Sequence, residues 1–239
     1  MIQVSLNGAR GAADGAAVPM SPRDLAEAAL GAVAAGAGEV LVHPRTPCGR
    51  ESLSPRVVGP VLEALRGAGV PVPLSVCASI AAEPDPAGRA ARVRSWTVLP
   101  ERAAVHWAEP GATELVRALL ERGVAVDAVV PAGWDAGPPP RDPRVRPVVE
   151  APAAGPGPGR WVPGRWVPGR VLLFGREDAA WPVLRLAARR GAGMRIGVGD
   201  VLHLPDGRPA RSNAELVAAA VREAAAQAAG AGPATAGSR

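Results

Sequence analysis

The sequence predicts an α/β protein, specifically a (β/α)8 TIM barrel, and three observations point there. Eight short, largely apolar runs bounded by Gly or Pro recur along the chain, with amphipathic stretches between most of them. The length, 239 residues, is close to the roughly 250 that such a barrel uses. Polar and charged side chains gather where the apolar runs end, and barrel active sites are built at that end of the strands.

The strand candidates are 2–6 (IQVSL), 39–43 (EVLVH), 72–76 (VPLSV), 103–107 (AAVHW), 124–130 (VAVDAVV), 145–149 (VRPVV), 170–174 (RVLLF) and 194–198 (MRIGV). Such short apolar runs suit parallel strands buried on both faces. Ser21-Pro22-Arg23-Asp24 reads as a helix start, with Ser as N-cap and Pro at the first helical position. Ser54-Pro55 opens a second helix, which Pro60 is expected to bend or shorten. Residues 86–95, 112–122, 178–190 and 212–229 carry the others. Gly36, Gly67, Gly123 and Gly191 stand where a left-handed residue ends a helix.

The pattern weakens in the middle. Residues 131–144 and 150–169 hold too much Pro and Gly for helices, so the helices after strands five and six are expected to be Pro/Gly-rich loops. The second stretch repeats Arg-Trp-Val-Pro-Gly from Arg160 and again from Arg165, which reads as a local duplication in a linker. Residues 1–229 are expected to form a single barrel domain with an irregular insert at about 150–169, and 230–239 a disordered tail.

Composition excludes several classes of function. All 27 basic residues are Arg, which lifts the isoelectric point although the net charge is only +5. The arginines are spread out, with no basic helix stripe and no interleaved aromatics, so no nucleic-acid partner is expected. That balance suits a small anionic substrate or cofactor better. No apolar run reaches the length of about 20 that spans a bilayer, so no membrane partner is expected. The first residues read directly as a strand without a signal peptide, which makes cytoplasm the expected location. Cys48 and Cys77 are too few for a disulfide framework and lack metal-type spacing.

The candidate site residues lie at strand ends. Asn7, Gly8 and Arg10 follow strand one; His43 ends strand two and Arg45 follows it. Alternation puts Leu41, His43 and Arg45 on one face. Ser75 ends strand three, His106 and Glu109 lie at strand four, Arg195 is in the last strand and Asp200 just beyond it. An Arg195–Asp200 pair can hold and orient a carboxylate, or can be a structural ion pair at the rim.

Taken together these blocks resemble a known family. Asn-Gly-Ala-Arg (7–10), Pro-Met-Ser-Pro (19–22), Val-His-Pro-Arg (42–45), Arg-Ile-Gly-Val-Gly-Asp (195–200) and Asp-Gly-Arg-Pro-Ala-Arg-Ser-Asn-Ala-Glu-Leu-Val (206–217) occur in the order seen in the β-keto acid cleavage enzymes, typified by 3-keto-5-aminohexanoate cleavage enzyme. The likeness runs from about residue 2 to about 222, poorest at 131–169. It implies a zinc-dependent (β/α)8 barrel, a transferase that condenses a β-keto acid with acetyl-CoA and cleaves the adduct to acetoacetate and a new acyl-CoA. A metal would polarise the β-keto acid and stabilise the enolate-like charge. On this resemblance Arg195, Asp200 and Ser75 are catalytic, while Asn7, Gly8, Arg45, His106 and Glu109 contact substrate. His43 is the metal ligand kept, and a homo-oligomer is expected because family members commonly assemble.

The chain departs from the family at decisive positions. The strand-two pattern His-x-His-x-Arg has Leu41 in place of its first His, and the last-strand pattern Arg-x-Gly-x-Glu-Asp has Gly199 in place of its Glu. Two of three zinc ligands are therefore replaced, whereas catalytic zinc takes three. His106 stands where an Asn is usual, and Phe174-Gly175-Arg176 where many relatives have His-Gly-Glu. A rebuilt metal site would need His43, His106 and Asp200, with Glu109 as a further donor, around one point. Three readings follow: a β-keto acid cleavage enzyme working through substituted ligands, a non-catalytic barrel relative keeping an acyl-CoA or carboxylate pocket, or a metal-independent lyase with an Arg-held carboxylate.

Overall fold

The computed structural model describes residues 1–15, 17–134, 137–153 and 171–230. Eight parallel strands close into a barrel in chain order: β1 (Ile2–Ser5), β2 (Glu39–Val42), β3 (Leu74–Cys77), β4 (Arg102–His106), β5 (Ala125–Pro131), β6 (Val145–Glu150), β7 (Leu172–Phe174) and β8 (Gly193–Ile196). β8 pairs back onto β1, with Gln3 beside Arg195, so the sheet has no free edge. Helices α1 (Pro22–Ala34), α2 (Pro55–Gly67), α3 (Pro86–Arg94), α4 (Ala112–Glu121), α5 (Ala180–Arg189) and α6 (Asn213–Gly230) cover the outside. The chain is a (β/α)8 barrel, as its sequence pattern predicts.

The helix starts follow from capping chemistry. Ser21 caps α1 through its side chain and the Asp24 carboxylate answers to the Ser21 backbone, closing a capping box around Pro22. Asp85 caps α3 in the same way by accepting from Gly88 N at 2.6 Å. Pro60 does not end α2, which runs on to Gly67 with the proline exposed to solvent. The left-handed residue after α2 is Gly69, with φ of 82°, because Gly67 is still helical. β3 also starts later than expected. Pro73 lacks an N–H, so it joins the ladder only by accepting from Val40 N at 3.0 Å. No helix lies between β5 and β6 among the described residues, as the Pro/Gly content predicts. The pentapeptide duplication and the tail 231–239 lie outside the described residues.

The barrel has two cores. Outward-facing strand residues such as Val4, Val40, Val76 and Val105 pack under the helices. Inside the barrel a smaller cluster forms from Leu41, Cys77, Ala104, Val129, Val148, Leu172 and Phe174. Below it, at the N-terminal end of the strands, five polar side chains close the barrel floor. Arg102 donates Nε to Asp127 Oδ1 at 2.7 Å, and Arg146 donates to both oxygens of Asp127 (3.0 and 2.8 Å) and both of Glu39 (3.0 and 2.6 Å). Gln3 Nε2 bridges the two carboxylates at 3.0 and 3.1 Å. Two guanidinium groups thus meet two carboxylates, and none of the five side chains leaves a fully buried polar atom without a partner, which is what burying charge requires.

Candidate functional site

The opposite end, the barrel mouth, is shaped by side chains that staple loops together. The Asn7 amide donates to His43 O and accepts from His43 N, both at 2.9 Å, so it fixes the turn after β2 to that after β1. Arg45 donates to Gly8 O and Gly49 O at 2.7 Å each, and Arg10 donates Nε to Val198 O at 2.7 Å. Asn213, at the start of α6, accepts from Val198 N and donates to Leu6 O, tying the ends of β8 and β1. Asn7, Gly8 and Arg45 therefore serve the architecture of the mouth through their backbone contacts. Glu109 is similarly engaged, pairing with Arg89 and accepting from Ile80 N at 3.0 Å.

Arg195 sits at the centre of this end. Its side chain is almost fully buried and pairs with the buried Asp200, Nη2 to Oδ1 at 2.7 Å. Its guanidinium carbon lies 3.4 Å from the centroid of the Phe174 ring, a stacked cation–π contact. Arg176, two residues beyond Phe174, approaches the same ring at 5.7 Å and donates Nε to Glu150 Oε1 at 2.8 Å. Glu177, with a left-handed φ of 48°, turns the chain just after Arg176, and its N–H donates to Asp200 O at 2.9 Å. That bond holds the loop after β7 against the loop after β8.

His43 and His106 share this electrostatic neighbourhood. Burial pushes the His43 imidazole well below the usual histidine range, and the charges of Arg195, Arg176 and Arg45 push it further the same way. His106, at the end of β4, is brought down to about 4 by burial and by Arg195, Arg176 and Arg89. Both imidazoles are neutral at pH 7. Four buried polar atoms in this half of the barrel lack any partner among the described residues, His43 Nδ1, Ser5 Oγ, Arg45 Nε and Arg89 Nε, and a fifth, Ser75 Oγ, lies deeper in the barrel beside the floor. Ser5, Leu41 and Ser75 lie side by side in register, so two unpartnered hydroxyls flank the leucine. Unpaired buried groups are costly and are frequent where a ligand or water supplies the missing bond.

Sequence reasoning placed Ser75, His43, His106, Arg195 and Asp200 at the mouth, and the structure brings the last four there; Ser75 does not reach it, because β3 begins at Leu74 and Ser75 lies in register with Arg102 of the floor. It did not find Arg176 or Phe174 as partners of Arg195, nor Glu51. Glu51 forms a bridge with Arg45 across the loop after β2 and keeps only loose contacts, 3.5 Å to Arg45 Nη2 and 3.5 Å from Ser79 Oγ. Burial raises its carboxyl, Arg45 opposes that rise, and nearby Glu109 adds to it. Burial likewise raises Glu109 against the pull of Arg89. The available signal was a run of charged residues in a loop that follows a strand end.

The residues present do not fit a zinc centre of the kind the resemblance implies. Among the described residues no three His, Cys, Asp or Glu side chains come together to hold a metal ion, so His43, His106, Asp200 and Glu109 do not rebuild one. Leu41 fills the position beside His43 and is buried in the inner core. The charges acting most strongly on His43 are arginines, which repel a dication. Gly199 cannot be restored to Glu in this backbone, because a Cβ there would lie 2.6 Å from Gly8 N. The chain has closed the space that a third ligand would need.

A separate groove of about 560 Å³ between α1 and α2 is lined mainly by Ala26, Leu30, Ala64 and Ala68 and brings no reactive group together. No helix among the described residues is long and apolar enough to cross a membrane.

Comparison with known proteins agrees with this architecture. The sequence matches the family model described as beta-keto acid cleavage enzyme over residues 1–128 and 163–238. Among solved structures, the chain is similar to a ternary complex of ObcA with a C4-CoA adduct and oxalate, with a TM-score of 0.60 and 14% identity. The likeness covers 89% of this chain and 64% of ObcA, so the chain spans less than two thirds of that protein. It is also similar to the homocysteine methyltransferase MmuM from Escherichia coli in its apo form, with a TM-score of 0.52, 11% identity and coverage of 93% and 94% of the two chains. At such identities these two neighbours speak for the fold alone. No curated protein sequence matches the chain.

Proposed function

The chain belongs to the β-keto acid cleavage enzyme family, and from that premise we propose that its mouth binds a small carboxylic acid of the β-keto type beside a CoA thioester, without the family's zinc-dependent cleavage. The observation that carries this reading is the contrast between two parts of one site. The Arg195–Asp200 pair is intact and buried, whereas the donors for a metal are replaced by Leu41 and Gly199. Asp200 orients the guanidinium from one side and Phe174 covers its face, so Arg195 is pre-organised to receive a carboxylate. The neutral imidazoles of His43 and His106 and the hydroxyl of Ser5 offer polar contacts to the rest of the acid without adding charge. The CoA adduct and oxalate held by ObcA, a structural neighbour, support ligands of these two kinds.

A second reading, that C–C cleavage persists through the chain's own proton-transfer groups, is favoured by one observation. Glu51 and Glu109 are half-buried carboxyls pushed upward, and an upward-shifted carboxylate is a stronger base for a proton next to a ketone. One experiment separates the two. Purified protein is titrated with acetoacetate and with acetyl-CoA by calorimetry, then incubated with a β-keto acid and acetyl-CoA while acetoacetate release is followed with and without chelator. We expect binding without turnover and no stoichiometric zinc on elemental analysis. Chelator-insensitive turnover would establish the second reading. Stoichiometric zinc lost on His43→Ala would overturn the first.

A further inference from the structure

The arginines at the mouth are not equivalent. Arg10, Arg45 and Arg89 each donate to at least one backbone carbonyl: Val198 O, the Gly8 and Gly49 oxygens, and Pro110 O respectively. They hold loops. Arg195 and Arg176 donate to carboxylates alone, Asp200 and Glu150, and each uses only part of its fork. Among the described residues, Arg195 Nη1 and both Nη nitrogens of Arg176 donate to no protein group. Both cations approach one aromatic ring, with guanidinium carbons 3.4 and 5.7 Å from the Phe174 centroid. The Glu177–Asp200 backbone bond keeps their loops together. Both also act on the same two histidines.

We propose that Arg176 is a specificity-determining residue that gives the mouth a second anion-holding position, so that the acid it takes is a dicarboxylate. One carboxylate would meet the unused end of Arg195 and the other that of Arg176, with the buried Phe174 ring beneath the two cations holding their spacing. This inference rests on the reading of the mouth as a carboxylate site and narrows it to a β-keto acid carrying a second carboxylate. A guanidinium with free paired N–H donors is matched to a carboxylate in shape as well as charge. Glu150 and Asp200 hold the two forks in place before the ligand arrives, which lowers the ordering cost of binding.

Calorimetric titration of the full-length protein with acetoacetate and with acetonedicarboxylate tests this. The dicarboxylate should bind about tenfold or more tightly than the monocarboxylate, the scale of one charged hydrogen-bonding contact. Arg176→Gln should remove that preference by weakening the dicarboxylate much more than acetoacetate, and Arg176→Lys should restore part of it. Arg195→Gln should weaken both acids. Equal affinities in the unsubstituted protein, or an Arg176→Gln change that affects both acids alike, overturn the dicarboxylate assignment, and acetoacetate binding that Arg195→Gln abolishes then leaves the carboxylate site standing. Failure of the folded protein to bind either acid overturns both readings. The comparison of the two acids on the unsubstituted protein decides the matter even if a variant does not fold.

Discussion

The two ends of the barrel treat buried polar groups in opposite ways. At the N-terminal end, Gln3, Glu39, Arg102, Asp127 and Arg146 satisfy one another, with two cations against two anions and no orphaned atom among them. At the C-terminal end, Ser5 Oγ, His43 Nδ1, Arg45 Nε and Arg89 Nε are buried without partners, and the forks of Arg176 and Arg195 are part-used. The same chemistry of buried charge thus closes one end and leaves the other incomplete. A barrel gains stability where its polar network is complete and gives some up where a ligand is to complete it.

The sharpest way to break this contrast is to open the floor. Asp127→Ala removes the carboxylate shared by Arg102 and Arg146 and leaves buried guanidinium charge without its counter-ion. We expect a loss of about 3–5 kcal/mol in urea unfolding, the range for breaking a buried pair. Burial alone would raise the Asp127 carboxyl, but Arg146 and Arg102 outweigh it and hold it below the usual aspartate range. A carboxyl depressed in the folded state stabilises above its unfolded value, so this contribution disappears as acid brings the pH down through the folded one. A loss under about 1 kcal/mol would show that the floor is solvated and behaves as a surface pair.

How far these two ends could be read from the sequence differs, and the reason is physical. Strands and helices were legible because burial on both faces leaves an unbroken apolar run, and Ser-Pro and Asp-Pro starts announce helices. The floor gave a signal that passed unread: Asp127 inside an apolar strand and Arg146 inside the next can be buried only if paired. Which partners meet depends on register around a closed barrel, and no single strand encodes that. The mouth was legible as a set of residues, since His43, His106, Arg195 and Asp200 all reach it, while Ser75 stays beside the floor because β3 starts two residues later than its apolar run suggests. Their roles were less so. Asn7 and Arg45 are fully polar in sequence, yet their donors go to the backbone of adjacent loops. The stacking of Arg195 and Arg176 on Phe174 joins β7 to β8, a contact between strands that neither motif contains.

The second prediction moves to the mouth and uses pH. His106 titrates near 4 in the folded protein and near 6.5 when unfolded, chiefly because of burial. Between those values the unfolded chain binds more protons, so stability falls as pH is lowered through the window. The expected loss from this residue is about 2 kcal/mol by pH 5. Thermal or urea unfolding from pH 7 to pH 5 measures it, and His106→Asn should flatten part of the slope. An unchanged slope in the variant would mean that His106 is hydrated and that the mouth is open to water at that strand.

The smallest effect has the opposite sign and is the most direct test of the contrast. Ser5 Oγ is buried at the end of β1, beside Gly199, with no partner among the described residues, so in the ligand-free protein it is a group withdrawn from water for no hydrogen bond. Removing it should remove that cost. Ser5→Ala is expected to raise the unfolding free energy by about 1 kcal/mol, at the low end of the penalty for an unsatisfied buried hydroxyl. The same variant should bind a carboxylic acid more weakly, because the hydroxyl is then missing from the ligand's contacts. Gain of stability with loss of binding is the pattern expected of a mouth kept incomplete for a ligand. If Ser5→Ala loses stability instead, the hydroxyl is already satisfied, and the mouth is as closed a structure as the floor.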